Sequence, residues 1–186
     1  MLKHVFAATE FEVADAVKAF DFKPEIEVPF KCYVNGSVRL VISGIGLVNA
    51  ALAYAWAAGN FKFENSANIG AAGHVRGPLG MGSVCRVSSV ACAEPYDNEV
   101  FDISAEGVRL VSSARPVVSA LARSRAAMLG DIVDMEGYSI AFAARMYSKN
   151  LEIVKFISDF SPDCDIHANI GRLRHLVAGM ESFWAG

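Results

Sequence analysis

The chain has 186 residues, 53% of them hydrophobic, with a mean hydropathy of +0.32 and a formal net charge of −3. That length supports one domain with a sizeable core, while the weak charge and scattered basic residues exclude a nucleic-acid surface. The first eight residues lack the apolar run and cleavage pattern of a signal peptide, and Cys32, Cys85, Cys92 and Cys164 show no CxxC spacing, so free thiols in a reducing cytoplasm are the default.

Residues 3–8 read as a first strand and 10–20 as a helix. Pro24 and Pro29 punctuate a connection, after which 32–34 and 38–43 form a hairpin turning at Asn35-Gly36. The uncharged stretch 40–61 has the length of a membrane span, but Ser43, Gly44, Gly46 and Asn49 divide it. It reads as a buried strand, a glycine turn and an alanine-rich helix over 48–58, not as a membrane segment. Residues 67–71 are a short strand running into a glycine-rich loop through Gly82. Strands follow at 84–91, 108–111 and 132–134, then a helix over 136–147, a fully buried strand at 152–158 and a last helix over 166–180. The alternation predicts a single α/β domain, a sandwich around a mostly parallel sheet.

Ligands of such sheets bind beyond the carboxyl ends of the strands. Glu10 and Glu12, the glycine turn 43–46, residues 70–73, Met135-Glu136 and Ser158-Asp159 each follow a strand-like run, so parallel strands would bring all five to one rim. Breaking a C–N glycosidic bond takes a group that assists the departing base and another that activates water, because the sugar becomes cationic. Glu12, Glu136 and Asp159 fit those roles, although Glu12 also reads as a first-turn helix acid and the other two as caps. Gly44-x-Gly46 before a helix resembles an anion cradle, but Asn49 stands where a dinucleotide fingerprint requires glycine. His74 reads equally as a ligand contact or an exposed loop residue, and His4, His167 and His175 show no metal-ligand spacing. No metal site is expected and the chemistry needs no cofactor.

The segments AATEFEV, SGIGLVNAALA, NIGAAG, DIVDMEGYSIA and VKFISD, in this order, resemble the nucleoside phosphorylase/nucleosidase superfamily over about residues 3–163. They are most similar to the methylthioadenosine/S-adenosylhomocysteine nucleosidases and futalosine hydrolases. The resemblance implies a three-layer α/β/α sandwich with a mixed, mostly parallel sheet, a small nucleoside as partner, and a homo-oligomer, commonly a dimer. It implies that Glu12 positions or activates water, that Met135 packs on the ribose while Glu136 binds its hydroxyls, and that Asp159, after Ser158, assists the base at N7. Gly46 and the loop residues Ala71, Ala72 and Gly73 would lie near the substrate.

Three departures stand out. The region between Val111 and Asp134 is short, without the aromatic residue that relatives place beside the purine; Tyr96 or Phe101 would replace it, and Arg115 is an unexpected cation there. NIGAAG lacks the serine found in many relatives. Hydrolysis is the leading reading, because an ionised Glu12 would repel phosphate and only Arg39 and Arg76 are candidates to offset it. A phosphorylase, or a nucleoside-binding protein without turnover, is the alternative. The helix carrying Trp56 and residues 51–58 is compatible with a homodimer face.

Overall fold

The computed structural model describes residues 1–94, 99–160 and 164–184. In chain order its elements are β1 (Lys3–Ala7), α1 (Glu10–Ala19), β2 (Lys23–Ile26), β3 (Cys32–Val34), β4 (Val38–Ile42), α2 (Leu47–Asn60) and β5 (Asn65–His74). They continue with β6 (Val84–Cys92), β7 (Val100–Asp102), β8 (Val108–Ser112), α3 (Ala120–Leu129), β9 (Ile132–Asp134), α4 (Gly137–Met146) and β10 (Asn150–Asp159). Three helices close the chain: α5 (Ile166–Leu173), α6 (His175–Ala178) and α7 (Glu181–Trp184).

The strands form one sheet that curls on itself: β5, β10, β6, β8 and β9 pair in a closed ring, and β1, β4, β3 and β2 extend it outward from β5. The row β4-β1-β5-β10 is parallel, whereas the edge hairpins and two of the ring closures are antiparallel.

Side chains alternate across the pleat, and this separates three large apolar clusters from a small one of Val111, Val133 and Ala126 under α3. Val5, Ala7, Leu40 and Phe156 face α1, α5, α6 and α7. Phe6 and Val41 face α2 and α4, where Ala50, Ala53, Tyr54 and Ala57 supply the buried stripe of α2. Val87, Leu110, Ile153 and Ile157 fill the ring. The result is the three-layer α/β/α sandwich expected from the sequence, with a mixed central sheet. No helix among the described residues is long and apolar enough to cross a membrane, and the stretch 40–61 is the end of β4, a turn and α2.

The sequence reading gave neither β7 nor α7, and the last helix, read over 166–180, is broken at Arg174 into α5 and α6; three further elements differ from it. Pro24 lies inside β2, which tolerates it as an exposed edge strand. Residues 72–74, expected in a loop, continue β5, because β10 pairs with it as far as Gly73. Residues 120–129, given no element from the sequence, form α3, with Ser119 as its N-cap and Gly130 at its end.

Candidate active site

The carboxyl ends of β1, β4, β5 and β10 share one rim. The β9 strand was expected to be parallel to them, but it runs antiparallel to β5, with Val133 opposite Gly73. Its exit therefore turns back along β5 and still delivers Met135 and Glu136 to the rim. Backbone bonds from Ser43 and Gly44 to the Ala7 and Ala8 carbonyls tie the β4 exit to the β1 exit.

A cleft of about 310 Å³ opens there. Glu12, Ala71, Ala72, Gly73, Met135, Glu136, Ser158 and Asp159 all line it. Gly46 does not; its N–H donates to Glu136 Oε1 at 2.8 Å, so it holds a cleft residue from behind. Glu10 is turned away, paired with Lys31 and Tyr33. The apolar walls come from Phe11, Ile45, Val117, Ile166 and Ile170, with His167 stacked on Phe11 at 4.3 Å between ring centroids.

Glu12 is both a helix acid and a cleft residue. The N–H and Oγ1 of Thr9 donate to its Oε2, each at 3.0 Å, and its own N–H donates back to Thr9 Oγ1, which closes a capping box at the start of α1. Ala71 N–H donates to Oε1 at 3.0 Å. A carboxylate offers about four lone-pair sites, so three donors leave one, on Oε1. A Cβ at Gly70 would stand 3.1 Å from that oxygen, which is why β5 carries glycine there.

Asp159 ends β10 and caps no helix; α5 is capped by Asp165 instead. Ser158 Oγ donates to Asp159 Oδ1 at 3.0 Å, and Arg123 Nη1, from α3, donates to Oδ2 at 2.8 Å. In the fold its charge is matched by a guanidinium that is itself buried. A Cβ at Gly73 would lie 2.7 Å from Asp159 Oδ2, so this glycine makes room for the carboxylate.

Glu136 occupies the N-cap position of α4, but its side chain makes no capping bond. Beneath it Lys155, 1% exposed, places Nζ 2.8 Å from Asp134 Oδ2, an oxygen that also accepts from Gly137 N–H at 2.9 Å. Ser112 Oγ donates to Asp134 Oδ1. Burial, and then the neighbouring Asp134, push the Glu136 carboxyl up to about 7 against the pull of Lys155 and the Gly46 N–H. Burial opposes the charge on Lys155, yet Asp134, Glu136 and Glu12 together raise its pKa.

The other sequence candidates lie elsewhere. Arg39 is paired with Glu25 and contacts His4, and Arg76 is paired with Asp131. Arg115 is exposed on a separate pocket with Arg125 and Glu94. Phe101 belongs to the core, 5.1 Å from the Tyr138 ring, so it does not replace a missing purine contact; Tyr96 lies outside the described residues. Pro116, Val117 and Val118 form the wall of the shortened region. His74 bonds the Gly77 carbonyl and packs near Phe160. Among the described residues no cluster of three His, Cys, Asp or Glu could hold a metal ion.

Arg123 and Lys155 are the partners that sequence reasoning did not single out. A lysine within the apolar run of β10 is a readable signal, since a buried ammonium requires a carboxylate. Ser119 and Gly130 mark the ends of α3. Nothing in the spacing connects Arg123 to Asp159.

No family model matches the sequence, and no curated protein matches it significantly. Solved structures share its fold over almost the whole chain. The methylthioadenosine/S-adenosylhomocysteine nucleosidase of Helicobacter pylori superposes with a TM-score of 0.86 at 15% identity, covering 99% of this chain and 97% of that one. The futalosine hydrolase of the same organism gives 0.87 at 14% identity, with 99% and 97% covered. The Neisseria meningitidis methylthioadenosine/S-adenosylhomocysteine nucleosidase, in complex with methylthio-immucillin-A, gives 0.78 at 22% identity, with 96% and 99% covered.

Proposed function

We propose that this protein is a nucleosidase that hydrolyses the N-glycosidic bond of a purine-type nucleoside, releasing the free base and the sugar. The observation that carries the reading is the convergence of three buried carboxylates, Glu12, Glu136 and Asp159, on one mostly apolar cleft. The fold shared with nucleosidases supports it.

Glu12 and Asp159 are anchored against Gly70 and Gly73, positions about 10 Å apart along β5. The reaction needs two such carboxylates, one on each side of the scissile bond. In this reading Met135 and Glu136 hold the ribose, Glu12 orients the attacking water through its remaining lone pair and accepts its proton, and Asp159 passes a proton taken up from solvent to N7 of the departing base. The anionic groups favour the cationic sugar of the transition state. Ala71, Ala72, Gly73 and Ser158 form the floor, and Gly46 acts through Glu136.

Hydrolysis is favoured over phosphorolysis because no lysine or arginine is among the described residues lining the cleft, and Arg39 and Arg76 are engaged elsewhere. The apolar walls suit a 5′-modified nucleoside. Val48 and Leu52 on α2 and Phe142 and Met146 on α4 are exposed on two helices that pack together, which supports a homodimer built on that face; Trp56 is instead packed on Phe30 and Phe61. Free thiols at Cys32 and Cys85 suit a cytoplasmic protein.

The test is product analysis in ¹⁸O-labelled water, with purine nucleosides bearing hydroxyl, methylthio and larger 5′ groups, with and without phosphate. Labelled free sugar formed without phosphate is expected. A sugar 1-phosphate formed only with phosphate would replace hydrolysis by phosphorolysis, and binding without any product would leave a nucleoside-binding protein.

A further inference from the structure

One guanidinium stands directly behind the cleft wall. Arg123 Nη1 donates to Asp159 Oδ2 at 2.8 Å and to the Val117 carbonyl at 3.4 Å, and its Nη2 donates to the His74 carbonyl. Two of these partners, Asp159 and Val117, line the cleft, and the third directly follows Gly73 at the end of β5. Arg123 itself comes from α3, whose first turn is capped by Ser119 Oγ accepting from Ala122 N–H at 3.1 Å. A planar fork of donors thus fastens three segments that meet at one end of the cleft, on an element that is otherwise remote from it.

The fork also limits what Asp159 can do. Oδ1 takes the Ser158 hydroxyl and Oδ2 takes Arg123, so the carboxylate is held from both sides in one orientation. An aspartate at a strand end has two side-chain torsions to lose, and Arg123 removes that freedom before any ligand arrives. Charge compensation alone would not require the added bonds to the Val117 and His74 carbonyls; those bonds fix where the guanidinium, and hence the carboxylate, stands.

We infer that Arg123 is a positioning residue for the reaction, setting Asp159 and the Val117 wall at the place where the base departs. The inference rests on the nucleosidase reading. It differs from a structural ion pair in one respect: the kinetic effect of losing Arg123 must pass through Asp159.

The experiment is a kinetic cycle on the best substrate of the wild-type protein, comparing wild type, Arg123→Lys, Arg123→Met, Asp159→Asn and the Arg123→Met/Asp159→Asn double variant, each with a thermal melt. Arg123→Met is expected to lower kcat about 100-fold, with KM changing little, as for a catalytic group misplaced by about 1 Å. Arg123→Lys, which keeps the charge but not the fork, is expected to recover part of that loss. The double variant is expected to be no slower than Asp159→Asn alone.

Wild-type kcat in Arg123→Met would overturn the inference, as would a double variant slower than Asp159→Asn by the whole Arg123→Met factor. Should Arg123→Met not fold, the double variant removes both charges together, and its comparison with Asp159→Asn decides the matter. A wild-type protein that releases base from no nucleoside overturns the nucleosidase reading and this inference with it. An active wild type with an unaffected Arg123→Met overturns this inference alone.

Discussion

Replacing Gly73 by alanine puts a methyl group where the structure has only a carboxylate. The added Cβ would stand 2.7 Å from Asp159 Oδ2 and 3.0 Å from Oδ1, with Val133 Cγ2 on another side at 3.1 Å, whereas ordinary contact begins near 3.4 Å. Asp159 must retreat by about 0.7 Å, against its bonds to Arg123 and Ser158. Displacement of a reacting group on that scale costs about 100-fold in turnover, equivalent to about 2.7 kcal/mol of transition-state stabilisation. The overpacking itself should lower stability by about 1–3 kcal/mol, partly offset by the smaller backbone entropy of an unfolded alanine chain.

Gly59→Ala is the internal control. This glycine sits in α2 with nothing within 4 Å of its added Cβ, so the change should stabilise the protein by about 0.5–1 kcal/mol and leave turnover alone. Base-release kinetics and thermal melts on the two variants read both effects. A Gly73→Ala protein that melts and turns over like the wild type would refute the claim that this glycine exists to seat Asp159.

Three further expectations concern the groups around the cleft. The Glu136 carboxyl, pushed by burial from its ordinary 4.5 up to about 7, still holds its proton in the folded state where the unfolded chain has released it. Stability must therefore fall as pH rises through that window, and Glu136→Gln should flatten the decline in urea unfolding measured at several pH values. Lys155→Met leaves Asp134 buried without its cation and should cost about 3–5 kcal/mol of unfolding free energy, with Lys155→Met/Asp134→Asn recovering much of it. Thr9→Ala removes the α1 cap and the hydroxyl bond to Glu12; a thermal melt should show a loss of about 1 kcal/mol, and kcat should fall as Glu12 loosens.

The carboxylates could be found in the sequence because each follows an apolar strand-like run, and a parallel α/β sheet brings such positions together. What could not be read was their company. Gly73 looks like a loop residue by composition, but it lies within β5, and it and Gly70 are glycines there because Asp159 and Glu12 occupy the space a side chain would need. The α3 helix carries no apolar stripe; only Arg123 and Ala126 are buried on it, so periodicity gives no sign of it. The β2 strand was hidden by Pro24, which an edge position tolerates. Pairings across the fold, Arg123 with Asp159 and Lys155 with Asp134, depend on contacts 36 and 21 residues apart in the chain, which no local pattern encodes.

The most direct measurement is base release from purine nucleosides in phosphate-free buffer by the wild-type protein beside folded Asp159→Asn and Glu12→Gln variants. The account predicts free base and free sugar from the wild type and turnover lowered by about 10²–10⁴-fold in both variants. No release from any nucleoside, or release that survives undiminished in both folded variants, would contradict it.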